Sequence, residues 1–427
     1  MDITLKYGHS HTTLSFPDQA EVDVLEPTSL PVIGDMAEAM DGALDRPLQL
    51  PRLEERAAPA TISIAVPDET RSFPTKALLP LLLKRLHRAY PALKPEDVTI
   101  VVGGGLHPPH DVPALERILP HDVLARYTVV PHDAKNAPMA EFGATSRGTP
   151  VRINLAFAQA EMKIVMGLLD PHQFAGFTGG AKGVAIGCSS AETIRANHAL
   201  MFHEKAQAGV REGNPVREDL NEIGRMVGVE LAVNVVLDKD KQIVGLWAGE
   251  PEAVLAAGSQ VCASVYGVTI EKPYDIVVAS CGGHPKDICL YQAQKGLNLA
   301  SRAAVPGGRI LLLAACGQGV GDEDYFEYVC RFDAPSAVFE DFREHGFRMG
   351  AHKAFLFSRT LDTFEVAVSS EMDASVLSRC MLEKAGDPQE RLNSWLDSMQ
   401  GRVRVGVVPN ANATYFSLAA GDVSGNS

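Results

Sequence analysis

Short β-branched apolar runs, recurring between amphipathic helical segments, constrain this chain more than any other feature. Residues 60–66 read ATISIAV, 98–102 read VTIVV, 231–237 read LAVNVVL, and 275–280 read DIVVAS. Residues 164–169 and 309–315 have the same character. Each run is strand-sized and lacks strict polar alternation, the pattern of a strand buried on both faces of a helix-covered parallel sheet. Between the runs, residues 34–46, 76–90, 111–119, 190–205, 215–227 and 248–268 carry helical spacing, with Asp35 and Ser190 as N-caps. A hairpin is expected from 3–7 and 12–16, further strands at 127–130, 151–154, 363–369 and 403–409, and helices at 322–331 and 335–346. Strands alternating with helices predict an α/β fold of two domains with largely parallel sheets flanked by helices. The boundary falls at Lys272-Pro273, giving domains 1–272 and 273–427, and the active site is expected in the interdomain cleft. The tail 421–427 is expected to be loose.

Composition narrows the function classes. The formal net charge of −14 disfavours a nucleic-acid or anionic-membrane surface, though a local cationic pocket can still take an anionic substrate. No apolar run approaches the ~20 residues that span a bilayer. The start, MDITLKYGHS, lacks the basic and apolar regions of a signal peptide. Seven dispersed cysteines without a C-x-x-C pair suit reduced thiols and a cytoplasmic protein.

The chemistry-bearing residues cluster where strands end, the edge at which ligands bind in α/β sheets. After 60–66 comes Pro67-Asp68-Glu69-Thr70-Arg71, and after 98–102 come three glycines and then Leu106-His107. After 164–169 comes Asp170-Pro171-His172, then a glycine-rich turn through Gly179-Gly180, then Lys182. Gly179-Gly180 would let a ligand phosphate approach bare N–H groups, with a helix N-terminus behind them; the competing reading is a glycine turn with a surface lysine. His198 lies on the next helix, where it is either a partly buried helix histidine or folded back over the glycine loop. In the second half, Tyr291, Gln292 and Lys295 share a helix face. Two histidines suit proton transfer on either face of a substrate, and Arg71 with Lys295 suits a carboxylate.

The D-P-H-x-x-x-G-x-x-G-G-x-K run, the upstream D-x-T-R and G-x-H, the N-H after the lysine and the L-Y-Q-x-x-K-G segment together resemble the nickel-dependent lactate racemase family, over roughly residues 60–300. The resemblance implies a nickel pincer nucleotide (pyridinium-3-thioamide-5-thiocarboxylic acid mononucleotide) tethered to Lys182, with His198 as the protein's nickel ligand. It implies His107 and His172 as the acid/base pair. Arg71, Gln292 and Lys295 would orient the substrate, Tyr291 would line the pocket, and Gly179 and Gly180 would contact the cofactor phosphate. The reaction implied is racemisation or epimerisation of a small 2-hydroxy acid, lactate-like, malate or another. Implied partners are cofactor-synthesis and nickel-insertion proteins, with no nucleic acid and no membrane.

Two positions depart from the family's usual run. Ile186-Gly187 stands where many members carry Pro-Gly, and His284 stands where an aromatic or another residue is common. Rival readings are a nucleotide-dependent dehydrogenase or lyase and a non-catalytic cofactor-binding protein. The first lacks G-x-G-x-x-G after an early strand; the second has no use for the full set of His107, His172, Lys182 and His198.

Overall fold

The computed structural model describes residues 1–348 and 350–418, so the expected loose tail lies outside the described residues. The chain forms two compact units, residues 29–265 and residues 1–28 together with 266–427. Both are α/β units built on six-stranded sheets.

The chain opens with β1 (Asp2–Tyr7), β2 (Ser10–Ser15) and β3 (Ala20–Val24). The first two make the expected antiparallel hairpin. The unit 29–265 follows, with α1 (Met36–Asp45), β4 (Ile62–Pro67), α2 (Thr75–Ala89), β5 (Val98–Gly103), α3 (Val112–Ile118), α4 (His121–Arg126) and β6 (Thr128–Pro131). It continues through β7 (Met139–Ala144), β8 (Pro150–Asn154), α5 (Leu155–Ala158), β9 (Met162–Leu168), β10 (Pro171–His172), β11 (Gly176–Phe177), α6 (Lys182–Ala185) and α7 (Ala191–Ala199). It closes with α8 (Pro215–Val227), β12 (Leu231–Leu237), β13 (Ile243–Gly249) and α9 (Pro251–Tyr266).

Its main sheet runs β13-β12-β9-β4-β5-β6, parallel except for the edge strand β13. Ile62, Ile64 and Val66 of β4 pack with Leu78, Leu79 and Leu82 of α2 and with Val98, Ile100 and Val102 of β5. Full burial of each such side chain contributes about 1.5–3 kcal/mol. Asp35 accepts from the N–H groups of Ala37 and Glu38, and Ser190 from that of Thr193, so both expected caps form. The helix begun at Ser190 stops at Ala199 and gives way to a single tighter turn, short of the predicted end at 205.

The other unit takes up β14 (Gly267–Ile270), β15 (Tyr274–Ser280), α10 (Leu290–Ala300), β16 (Ala304–Leu313), α11 (Glu323–Val329), α12 (Pro335–His345) and α13 (His352–Leu361). Then come β17 (Glu365–Ser369), α14 (Ala374–Arg379), β18 (Glu383–Lys384), α15 (Pro388–Ser398), β19 (Val403–Val408) and β20 (Tyr415–Leu418). Its sheet, β18-β17-β16-β15-β19-β3, is wholly parallel. The expected division at Lys272-Pro273 differs from the packing in two respects, the first being that residues 266–272 already belong with the second unit. Residues 1–28 belong with the second unit, because β3 hydrogen-bonds to β19 and Leu5, Leu14 and Phe16 share a core with Ile276, Val278 and Val405. All seven cysteines are free thiols. Among the described residues no helix is long and apolar enough to cross a membrane.

Candidate active site

Asp68 directly follows β4, and its side chain is 3 % exposed. Its Oδ1 accepts from the Thr70 hydroxyl at 2.6 Å and the Thr70 N–H at 3.2 Å, and its Oδ2 meets His107 Nδ1 at 2.6 Å. Burial pushes the Asp68 pKa up. The hydrogen bonds from His107 and Thr70 and the charges of His107 and Arg71 outweigh it, and the net displacement is downward. An ionised carboxylate only accepts, so His107 Nδ1 carries the hydrogen, and in the neutral ring Nε2 has the lone pair. The His107 side chain, from the loop after β5, is 49 % exposed, which leaves that lone pair open to a reactant.

The run after β9 folds as a two-strand clasp. Pro171 pairs with Phe177 and His172 with Gly176. The N–H of Ala175 donates to His172 Nδ1 at 3.2 Å, which assigns the ring hydrogen of neutral His172 to Nε2. Burial, followed by the charges of Lys182, His198, Arg71 and Arg217, holds the His172 pKa well below 6.5. His107 and His172 are therefore set oppositely: one imidazole presents an acceptor and the other a donor. Phe174 stands edge-on to both His172 and His198, with ring centroids 4.6 and 5.1 Å away.

Arg217 of α8, 1 % exposed, holds the clasp from behind. It donates to the carbonyls of Ala175 at 3.2 Å, Gly179 at 3.4 Å, and Phe177. Burial lowers this guanidinium to about 10 against a smaller opposing effect of Glu252. Burial and then the charges of Arg71 and Arg217 pull Lys182 from 10.5 to about 7. A substantial fraction of its amine is thus unprotonated, and nucleophilic, near neutral pH.

Packing within the protein shapes the glycine turn. Gly180 N–H is already donated to Asn234 Oδ1 at 2.8 Å, inside the protein. A Cβ at Gly179 would stand 2.8 Å from Leu169, and one at Gly180 would stand 3.1 Å from the Pro251 carbonyl. Both residues have positive φ. They are glycines because backbone and neighbours leave no room for a side chain. The helix expected behind them, α6, is a single turn of four residues.

The departure at Ile186-Gly187 lies against the His107 loop. Gly105 N–H donates to the Gly187 carbonyl at 3.1 Å, and Ile186 and Leu106 pack on one small apolar cluster. The structure thus gathers Arg71, His172, Lys182 and His198 into one electrostatic neighbourhood, with His107 joined to it through Asp68. Among the described residues Arg71 has no ion-pair partner, and no group of three His, Cys, Asp or Glu side chains could hold a metal ion. A metal bound at His198 would therefore need most of its ligands from another bound group.

Tyr291, Gln292 and Lys295 belong to the other unit, all on α10. Tyr291 and Lys295 are partly buried and Gln292 is exposed. Burial, then Asp322, Cys289 and Asp324, raise the Tyr291 pKa, so its hydroxyl stays protonated. Sequence reasoning passed over Asp68, Phe174 and Arg217. The first two lie inside motifs that had been singled out, where a carboxylate next to a strand end and an aromatic next to a histidine were available signals. Arg217 had none, since it reads as a surface arginine of an amphipathic helix.

Comparison with known proteins shows the family. The lactate racemase N-terminal domain model matches residues 7–209, and the lactate racemase C-terminal domain model matches residues 269–414. The lactate racemase of Thermoanaerobacterium thermosaccharolyticum is 29% identical over 351 residues, covering 81% of this chain and 82% of that one. The lactate racemase of Lactiplantibacillus plantarum is 31% identical over 302 residues, 70% of each chain. The solved apoprotein structure of the Thermoanaerobacterium thermosaccharolyticum enzyme superposes with a TM-score of 0.89 at 26% identity, covering 98% of this chain and 100% of that one. A Thermotoga maritima protein of 15% identity and TM-score 0.62, covering 92% of this chain and 100% of that one, shares the fold alone. With both domain models matched in order, the chain belongs to the lactate racemase family of isomerases.

Proposed function

We propose that this protein racemises or epimerises a small 2-hydroxy acid, lactate being the first substrate to try. The observation that carries the reading is the complementary hydrogen-bonding state of His107 and His172. His107, oriented by Asp68, offers Nε2 as an acceptor for the substrate hydroxyl proton. His172, held neutral, offers an Nε2 hydrogen to the oxygen on the far side of the reaction. As the hydride returns to C2 of the planar 2-oxo acid, the carbonyl oxygen regains a proton from the histidine facing it in its imidazolium form, which leaves that ring neutral, and in the reverse direction the roles interchange. Arg71, Gln292 and Lys295 hold the substrate carboxylate.

The residues present fit a tethered nickel pincer nucleotide. Lys182 has the depressed amine a thioamide tether requires. His198 gives a single imidazole, which suits a metal whose other ligands come from the nucleotide. When bound, that group supplies the carbon that takes and returns the substrate's C2 hydride. Cofactor-synthesis and nickel-insertion proteins are the partners this reading requires, and Gly179 stays a contact for the nucleotide through its neighbourhood with Lys182. The test is the intact mass and nickel content of protein co-produced with the cofactor-synthesis machinery. An adduct on Lys182 with about one nickel per chain is the outcome expected of a one-histidine site; persistent absence of both sinks the cofactor reading.

A further inference from the structure

The unit holding α10 and α13 contains a second lysine beside Lys295. Lys353, on the first turn of α13, sends its ammonium to the Gln294 Oε1 at 2.9 Å, and the same nitrogen lies 5.1 Å from the centre of the Tyr291 ring. Gln294 and Lys295 are adjacent on α10, and Tyr291 is one turn before them. The charge of Lys295 acts on Lys353, so the two ammonium groups are close enough to repel. Among the described residues neither lysine has a carboxylate within ion-pair distance, although twenty-one pairs form elsewhere. The nearest acid, Asp322, is committed to capping α11 through the Tyr325 N–H at 2.7 Å.

A buried ammonium next to a second cation and without an ion-pair partner is costly, and a neutral amide oxygen and an aromatic face only partly offset the lost hydration. The arrangement makes sense with an anion between them. An ammonium has three N–H groups. Lys353 spends one on Gln294, and among the described residues no hydrogen bond takes any of those on Lys295. One carboxylate has two oxygens to receive what remains.

Resting on the proposed racemase reading, we infer that Lys353 is a substrate-binding residue that shares the carboxylate of the 2-hydroxy acid with Lys295. Gln294 and the Tyr291 ring act as positioning groups, fixing the ammonium before the substrate arrives. Burial and the Lys295 charge pull the Lys353 amine to about 7, so it reacts with acylating agents at neutral pH, and a bound carboxylate restores its proton.

The experiment is competitive acetylation of the cofactor-loaded full chain with trace acetic anhydride at neutral pH, read by peptide mass spectrometry. It is run with lactate, with oxalate, or with chloride at matched ionic strength. Lactate and oxalate are expected to slow Lys353 acetylation about 10-fold, the scale of a charge-assisted hydrogen bond, and chloride not at all. In the Lys295→Gln variant that protection should weaken. Lys353→Gln should raise KM by about 10-fold with kcat little changed, and Lys353→Arg should recover most of it. If lactate is turned over while Lys353 acetylation is unchanged by saturating lactate, the inference is wrong and the racemase reading stands. If lactate protects Lys353 and no racemisation occurs, the carboxylate site stands and the racemase reading falls. Should Lys353→Gln fail to fold, the acetylation of the unaltered chain still decides.

Discussion

The two six-stranded sheets end their strands in different ways. In the unit 29–265 the loops after β4, β5 and β9 deliver Asp68, Arg71, His107, His172 and Lys182. In the other unit the loops after β15 and β16 deliver Cys281 and Cys316, buried thiols whose burial raises their pKa and keeps them inert. There Asp287 serves the backbone, accepting from the N–H groups of Gly8 at 2.7 Å and Ala315 at 3.2 Å. Its titratable face comes instead from helices, through Tyr291, Lys295 and Lys353. A strand end is thus a place where chemistry can be mounted, and which side chain stands there decides whether it is. On the proposed reading, proton transfer and anchoring fall to the first unit, and carboxylate binding is shared between its Arg71 and the lysines of the other.

Lys182→Ala should break this contrast most completely. With no amine there, tethered cofactor and racemisation should both be lost, whereas Lys353→Gln should leave the adduct intact. Intact mass separates the two variants in one measurement, and an adduct surviving in Lys182→Ala would remove the anchor from this strand end. Next in size come His107→Ala and His172→Ala. Each removes one member of the proton-transfer pair and should cost about 10²- to 10⁴-fold in kcat with the adduct retained. Full activity in either variant would contradict the two-histidine mechanism.

What the sequence disclosed tracks how local each signal is. Strands β4, β5, β9 and β12 were legible because both faces are buried and the apolar run shows directly. Strand β13 was missed although Asp238-Lys239-Asp240-Lys241 marks a hairpin turn before it. Strand β3 was missed because it is an edge strand with no buried residue, so its membership in the second sheet leaves no apolar trace. In the candidate site, His107, His172 and Lys182 could be singled out because strand ends are readable. The Asp68–His107 bond joins residues 39 apart, a distance that no local pattern encodes. Glycines 179 and 180 are visible as letters, but whether the missing Cβ faces a ligand or faces Leu169 and Pro251 is a property of packing. Lys353 carries neither a strand end nor a motif.

A smaller effect tests how far the strand-end site depends on orientation. Asp68→Asn keeps the shape and removes the charge that fixes the His107 ring. It should lower kcat by about 10- to 100-fold, the usual cost of losing a partner that orients a functional histidine, with KM little changed. An equal loss in KM would mean that Asp68 serves substrate binding instead.

The smallest effect is on stability, and it spans both units. His132, 1 % exposed, donates from Nε2 to the Ser189 carbonyl at 2.9 Å and accepts at Nδ1 from the Asn154 amide at 3.1 Å, a network that requires the neutral ring. Burial lowers its pKa against the opposing Ser189 bond and Asp133 charge; burial also lowers His172, and in the other unit it brings His352 to about 3, helped by Lys353. Above 6.5 these rings are neutral in both folded and unfolded chains and add no pH dependence. As the pH falls below 6.5 the unfolded chain takes up protons that the folded chain refuses, so stability declines toward the folded pKa values. The limiting slope is about 1.4 kcal/mol per pH unit for each histidine held neutral. Asp68, depressed from 3.8, contributes its own loss only below that value, and Glu54, Glu55, Glu69 and Glu222, depressed from 4.5, only below theirs, so the interval between 6.5 and 4.5 belongs to the histidines. Urea unfolding across that interval should show the decline, and His132→Gln, which cannot take up a proton, should flatten part of it. A flat stability profile there would mean that the folded chain accommodates the charged rings. The neutral state of His172, and with it the complementary setting of the two imidazoles proposed as the acid/base pair, would then lose its physical basis.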